Sequence, residues 1–307
     1  MSEHSARTTY CSDLSRQADE PLIGSASPTK RYLCLEYGMA WGEKALEESE
    51  LPDAVKLHIN EFAISYLQTK ALLIRRQVFK TSPLMLFLGM AAESDPFLLG
   101  FALEDYEQLL EMDFAQILED PGQYAANRWE KPLLLVCTNG RRDLCCTRYG
   151  LPVLNSLQHA TAGSPTPLIW QSTHMGGHRF AANLLVLPYG LLYGRVDPES
   201  AMQILASAHQ RTVYLPNLRG RTAYLPPAQA AELQLRQETG EFAIDGFKLL
   251  EVLEAGSGAW QVKFHGTKSD EIYVLNVRTE QTEQQIFESC RLDKSTPLMR
   301  YVASLEP

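Results

Sequence analysis

The sequence lacks an apolar run approaching the roughly 20 residues that a membrane-spanning helix needs. It also lacks a basic excess, since 28 Lys and Arg residues stand against 37 Asp and Glu residues, a formal net charge of −9. Residues 1–30 have neither the basic start nor the apolar stretch of a secretion signal. We therefore expect a cytoplasmic protein with no membrane span and no nucleic-acid partner.

The chain has no glycine-rich loop of the recognised nucleotide-binding kinds and no low-complexity tract. Its 307 residues, 45% of them hydrophobic and 21% charged, are typical of a globular protein with two or three domains. Six cysteines are present, and in a reducing compartment we expect them to be unpaired.

Strand-like and helix-like patterns divide the first two thirds of the chain into two similar units. Each has the order strand, helix, strand, strand pair, helix, which is typical of the thioredoxin-like fold. The first unit has predicted strands at 32–37, 71–75, 84–88 and 97–103 and helices at 54–67 and 104–112, with Ser49 as a helix cap. The second has predicted strands at 133–137, 167–171, 184–188 and 191–195 and helices at 145–158, with Pro152 near its start, and 198–209.

The last third of the chain is predicted to hold a helix at 226–237 and strands at 247–253, 260–265 and 272–277. Residues 1–30 are predicted to be an irregular lead-in. The expected fold class is α/β (α+β), with two tandem thioredoxin-like units that have mixed sheets, plus a small C-terminal domain of one helix and an antiparallel sheet. The expected domains are 1–127 (without metal ligands), 128–222 (with the ligands) and 223–307.

Metal-type ligands concentrate in the second unit. Cys137 ends a strand, and the adjacent Cys145 and Cys146 open the next helix. His174 and His178 follow the neighbouring strand, so we expect all these side chains to meet at one edge of the sheet. The helix N-terminus favours thiolate, and the two glycines between the histidines allow the backbone to bend around a bulky ligand.

Two sulfur and two nitrogen donors suit either zinc or an iron–sulfur centre. Structural zinc sites usually separate paired cysteines by about two to four residues, whereas eight residues lie between Cys137 and Cys146. A two-iron cluster tolerates a longer ligand loop, and a histidine pair on one iron is the pattern of Rieske centres. Because neighbouring side chains diverge, only one of Cys145 and Cys146 is expected to be a ligand. A thiol oxidoreductase that uses either of them is a weaker hypothesis, since redox pairs usually leave two residues between the sulfurs.

Other candidate residues are assigned ordinary roles. Cys11, Cys34 and Cys290 are predicted to be small buried residues rather than metal ligands. Arg219 and Arg221 form a basic stretch that we expect to be solvated, with docking of a partner as the alternative.

One block of the sequence is highly specific, His174-Met-Gly-Gly-His178-Arg-Phe-Ala-Ala-Asn183. Together with other matching positions it resembles the sucrase/ferredoxin-like family, which has a thioredoxin-like ferredoxin domain. The other positions are Cys137, Gly140, Arg142-Asp143, Cys145-Cys146, Gly150 and Tyr193-Gly-Arg195-Val, with less specific matches at Cys11-Ser, 19–24, 41–42, 219–221 and 288–290.

The resemblance implies a [2Fe–2S] cluster with Cys137, Cys146, His174 and His178 as its ligands. It implies an electron carrier with no catalytic residues rather than a stand-alone enzyme, and a protein reductase or acceptor as partner. A zinc-stabilised binding module is the alternative function. Residues expected to surround the cluster are Asn139 (a histidine in many family members), Arg142, Asp143, Cys145 and Arg179.

Overall fold

The computed structural model describes residues 10–76, 83–163, 168–287, 289–290 and 295–306. Its α-helices are α1 Cys11–Gln17, α2 Asp53–Ser65, α3 Phe114–Glu119, α4 Leu144–Ala160, α5 Pro198–Gln210 and α6 Pro226–Thr239. Its strands are β1 Arg31–Glu36, β2 Thr69–Arg75, β3 Leu84–Met90, β4 Phe97–Leu103, β5 Leu133–Cys137, β6 Ile169–Ser172, β7 Leu184–Leu187, β8 Leu191–Tyr193, β9 Leu218–Arg221, β10 Phe247–Glu254, β11 Ala259–Gly266, β12 Ile272–Phe287 and β13 Ser295–Leu305. Residues 1–9 of the expected lead-in, Pro167 of an expected strand and Glu288 of the family-like tail lie outside the described residues.

Nine strands form one mixed sheet in the order β4-β3-β1-β2-β6-β5-β7-β8-β9. In its first half, β1 pairs parallel with β2 and antiparallel with β3, and β3 pairs antiparallel with β4. In its second half, β5 pairs parallel with β6 and antiparallel with β7, and β7 pairs antiparallel with β8. The two halves repeat one pairing scheme, and the predicted fold class is confirmed.

The two thioredoxin-like units share a sheet because their edge strands pair with each other. β2 and β6 run antiparallel, with Ile74 opposite Ser172 and Arg75 opposite Gln171. Just beyond β6, the Thr173 backbone N–H donates to the Leu73 carbonyl at 2.9 Å, and the Thr173 hydroxyl accepts from the Leu73 N–H at 3.1 Å. The start of β2 therefore lies beside the segment that leads to the two histidines.

Three details of the predicted helices were wrong. Helix α2 begins after Pro52 without a side-chain cap, and the Ser49 hydroxyl bonds a carbonyl three residues back at 2.7 Å. Residues 104–112 contain only a 3₁₀ turn, Glu107–Glu111. In α4, Pro152 lies well inside the helix rather than near its start.

The lead-in contains helix α1, which sequence patterns missed because it is short and has no side-chain cap. Tertiary contacts hold it in place. The Arg16 guanidinium donates to the Ala181 carbonyl at 2.9 Å, and the Arg195 guanidinium donates to the Ser15 carbonyl at 3.0 Å and the Glu20 carbonyl at 2.7 Å. Helix α1 is thereby packed against the segment that follows the histidines.

The basic stretch is a buried strand, β9, so the predictions of a solvated or docking surface were wrong. Arg221 is 1% exposed and its guanidinium contacts the Glu232 carboxylate at 3.0 Å. Glu232 lies in α6, and Arg236 of that helix contacts the same carboxylate at 2.9 Å. Burial opposes ionisation of Glu232, but the two arginines outweigh it and keep the pKa of this carboxyl below its usual value.

The C-terminal sheet has four antiparallel strands in the order β10-β11-β12-β13, one more than predicted. Helix α6 packs against it around a core that includes Leu235, Phe247, Phe264 and Leu275. The end of β12 and the whole of β13 were missed because their polar residues obscure the apolar alternation that marks a strand. Among the residues that the structure describes, no helix is long and apolar enough to cross a membrane.

Candidate metal centre

The pairing of β5 with β6 brings the predicted ligands together. These strands are parallel, with Cys137 opposite Ser172, so their carboxyl ends lie at the same edge of the sheet. Cys137 is the last residue of β5, and His174 follows the end of β6 by two residues. Cys146 lies in the first turn of α4, directly across this edge.

Three of the four predicted ligands form a compact group. The sulfurs of Cys137 and Cys146 and one ring nitrogen of His174 all lie within 4.8 Å of one another. The Cys146 Sγ is 3.7 Å from the His174 Nδ1, and both cysteines are 1% exposed. The ring of His178 lies beside that of His174, with centroids 5.1 Å apart and planes inclined by 36°. The structure thus groups three donors and places the fourth next to them.

Hydrogen bonds determine the shape of the loop between the two cysteines. The Asn139 side chain accepts from the Arg142 N–H at 3.3 Å and donates to the Gly42 carbonyl at 3.1 Å. The Asp143 carboxylate caps α4 by accepting from the Cys145 N–H at 2.9 Å. This cap fixes the start of α4, with Cys146 in its first turn. The partial positive charge of a helix N-terminus favours a thiolate there.

Two glycines allow close approaches at the centre. A Cβ at Gly150 would lie 2.2 Å from the Cys137 carbonyl oxygen, so α4 packs tightly on the end of β5 only because this position has no side chain. Gly177 has a φ of +68°, and a Cβ there would lie 2.3 Å from the Arg219 guanidinium. Both positions require glycine for the ligands to converge.

Arg219 supports the backbone of the histidine segment. It is 1% exposed, and its guanidinium donates to the Gly176 carbonyl at 2.9 Å, the Asn183 side-chain oxygen at 2.7 Å and the Ser25 carbonyl at 2.6 Å. The Asn183 amide in turn donates to the Gly177 carbonyl at 2.9 Å. Burial lowers the pKa of Arg219 to about 9. This residue positions the loop instead of docking a partner.

Lys70 is a positive charge that the first unit contributes to the centre. Its ammonium donates to the Met175 carbonyl, 105 residues away in sequence, at 3.0 Å. Burial, and then the charge of Arg219, lower the pKa of Lys70 to about 8. Lys70 and His174 both line a cavity of about 350 Å³. Sequence reasoning missed Lys70 because no local pattern distinguishes it from other lysines.

The two sulfurs at the centre differ in acidity. Hydrogen bonds from Cys146 and His174 hold the pKa of Cys137 well below its usual value despite complete burial. The bond that Cys146 makes to this sulfur, followed by burial, raises the pKa of Cys146 well above its usual value. Burial alone raises the pKa of Cys34, a thiol of strand β1 that belongs to neither donor group. The centre therefore stabilises a thiolate at a depth where an isolated thiol stays protonated.

A carboxylate faces the second histidine. The His178 Nε2 lies 3.6 Å from the Asp143 Oδ2, and the aspartate side chain is fully buried. Burial opposes ionisation of Asp143, but the Cys145 N–H and the charge of His178 keep its pKa below the usual value. A carboxylate behind a ligating histidine orients the ring and fixes its tautomer.

Three other residues were expected around the ligands, and each makes its contacts with a different partner. Arg142 pairs at the surface with Glu43 at 3.3 Å, and Arg179 pairs with Glu20 at 2.7 Å. Cys145 turns away from the ligand group and packs against Cys11 and Cys290. Cys11 is buried as predicted, whereas Cys290 is only partly buried.

A family model described as Sucrase/ferredoxin-like matches residues 22–220, more than half of the chain. The chain belongs to the sucrase/ferredoxin-like family. This confirms the resemblance based on the cysteine and histidine motifs. It also places β1 to β8 and all four predicted ligands inside the matched range.

Known proteins resemble parts of this sucrase/ferredoxin-like chain. Altered inheritance of mitochondria protein 32 of Candida glabrata is 29% identical over 101 residues, which cover 28% of this chain and 31% of that protein. The chain thus spans about a third of the curated relative that it matches. Two cysteine-to-serine variants of the thioredoxin-like [2Fe-2S] ferredoxin from Aquifex aeolicus are 21% identical, with TM-scores of 0.24 and 0.23. Each match covers 26% of this chain and 87% of the ferredoxin.

Proposed function

We propose that this sucrase/ferredoxin-like protein is an electron carrier that binds a [2Fe–2S] cluster through Cys137, Cys146, His174 and His178. The observation that carries the proposal is the convergence of two buried sulfurs and two adjacent imidazoles at one sheet edge. This donor set suits a two-iron centre. When bound, such a cluster supplies reversible one-electron transfer at a potential that histidine ligation raises above that of plant-type ferredoxins.

The surroundings of the donors support this function. Two cations, the buried Arg219 and the half-buried Lys70, interact electrostatically with Cys137. They would favour the more negative, reduced state of the centre, because burial weakens the screening of these charges by water and salt. Asp143 would orient His178 for metal binding, and Asn139 would hold the loop between the two cysteines.

Replacing Lys70 should lower the reduction potential. We expect the reduction potential of a Lys70→Met variant to lie roughly 30–60 mV below that of wild type, since about 59 mV corresponds to a tenfold change in a one-electron equilibrium. Lys248→Met is the matched control, because Lys248 is exposed on the C-terminal sheet. Redox titration followed by visible absorption gives both values. Equal potentials in the two variants would show that the charge of Lys70 does not affect the reduction potential of the centre.

Metal analysis of anaerobically purified protein tests the function itself. We expect about two irons and two sulfides at the centre, a brown colour and a rhombic electron spin resonance signal on reduction. A colourless protein with zinc at Cys137 and Cys146 and no iron would contradict the proposal. That result would favour the zinc-stabilised binding module.

The electron donor or acceptor in this proposal is a second protein in the cytoplasm. The chain has no recognised nucleotide-binding loop, so electrons must come from outside it. The formal charge of −9 suits electrostatic steering towards a basic partner surface. Cross-linking with a candidate reductase at low and high salt measures this contribution, and we expect the yield to fall as salt rises.

A further inference from the structure

Three cysteines from distant parts of the chain meet on the other side of the Asp143 cap. The sulfurs of Cys11 and Cys145 are 3.5 Å apart, those of Cys145 and Cys290 are 3.3 Å apart, and those of Cys290 and Cys11 are 3.5 Å apart. The first pair is separated by 134 residues and the second by 145. The triangle is nearly equilateral, so no single pair is selected.

A carboxylate completes a set of four donors. Cys11, Cys145, Cys290 and Asp143 each offer one ligand atom, and these four atoms lie within 4.8 Å of one another. Two polar groups point at the sulfurs: the Ser12 hydroxyl is 3.2 Å from the Cys145 Sγ, and the Cys11 N–H is 3.2 Å from the Cys290 Sγ. Hydrogen-bond donors of this kind orient the ligands of metal sites.

We propose that Cys11, Cys145, Cys290 and Asp143 bind a single zinc ion, at a site separate from the iron–sulfur centre. Thiolates select zinc among the common divalent ions, and structural zinc takes four ligands in a tetrahedron. With Zn–S bonds of about 2.3 Å, tetrahedral geometry places sulfurs about 3.8 Å apart. The three sulfur separations, 3.3 to 3.5 Å, are close to that value and nearly equal.

Two other arrangements of these cysteines fit less well. A disulfide brings one pair of sulfurs to about 2.0 Å and leaves the third thiol unpaired, which does not match a triangle with equal edges. An iron–sulfur cube attaches each cysteine to a different iron and therefore needs wider spacing. A mononuclear ion is the occupant that holds three sulfurs equally.

The ion would tie three separate segments together. Cys11 begins α1, Cys145 lies in the first turn of α4, and Cys290 follows β12. Cys11 and Cys290 lie outside residues 22–220, the range matched by the family model. Metal binding to the folded chain adds its binding free energy to the stability of the fold. The site closes two long loops, and the entropy cost of closing a loop grows only slowly with its length.

Zinc and iron measured together on the full chain test this site. We expect about one zinc per wild-type chain in addition to iron. Cys11→Ala and Cys290→Ala should lose the zinc and keep the iron, whereas Cys137→Ala should lose the iron and keep the zinc. Cys34→Ala is the matched control, since Cys34 is a fully buried thiol that belongs to neither donor group, and it should keep both metals. Zinc content equal to wild type in both Cys11→Ala and Cys290→Ala would overturn the proposal.

Cobalt provides an independent readout that does not depend on metal acquired in the cell. Co²⁺ added to the metal-free Cys137→Ala/Cys146→Ala protein should give the intense visible bands of a tetrahedral thiolate site. Adding Cys290→Ala to that background should remove these bands, while circular dichroism reports whether each variant is folded. Absence of the bands in the folded double variant, or a disulfide among the three cysteines in freshly purified protein, would overturn the zinc site.

Discussion

Cys146→Ala should abolish iron binding, whereas Cys145→Ala should leave the iron content close to wild type. The two cysteines are adjacent in sequence, but their sulfurs face different groups. The Cys146 Sγ lies 3.7 Å from the His174 Nδ1, and the Cys145 Sγ lies 3.5 Å from that of Cys11. Iron per chain and visible absorbance measure the difference, and we expect Cys146→Ala to lose nearly all of both.

The same pair of variants also separates the two proposed metal sites. Cys145→Ala should lose zinc while it retains iron, because its sulfur belongs to the three-cysteine group. Cys34→Ala controls for removal of a buried thiol and should change neither metal. Iron lost from Cys145→Ala and retained in Cys146→Ala would reverse the ligand assignment and contradict the proposed centre.

Arg219→Met should cost about 3–5 kcal/mol of unfolding free energy, because it removes the donor of several hydrogen bonds and each unsatisfied buried acceptor costs about 1–3 kcal/mol. The substitution leaves the buried Asn183 side-chain oxygen and the partly buried Gly176 and Ser25 carbonyls without their donor. It also frees the segment that carries both histidines, so iron content should fall. Urea unfolding followed by circular dichroism measures the stability.

The control for Arg219→Met is Arg142→Met. Arg142 pairs with Glu43 at the surface, with the two side chains 40% and 43% exposed. Exposed pairs contribute less than about 1 kcal/mol, so this variant should unfold close to wild type. Equal unfolding midpoints for the two variants would show that Arg219 does not support the histidine segment.

Local patterns were sufficient for most of the secondary structure. The run of leucine and valine ending at Cys137 predicted β5 with its observed limits, because five consecutive buried positions need an unbroken apolar run. Helix α5 was predicted to within one residue, helped by a proline at its first position. Short elements with weak local signals, such as α1 and β9, were missed because tertiary contacts stabilise them.

The amino-acid sequence alone determined the ligand types, their spacing, the repeated strand order and the family, because each depends on residues that are close along the chain. Only the tertiary structure decided which distant residues meet. It joined β2 to β6, placed Lys70 beside the Met175 carbonyl and buried Arg219 under the histidine segment. It also brought together the thiols of Cys11, Cys145 and Cys290, which no sequence pattern connects. These contacts span from 43 residues, between Gly176 and Arg219, to 279 residues, between Cys11 and Cys290. Packing rather than any local periodicity selects them.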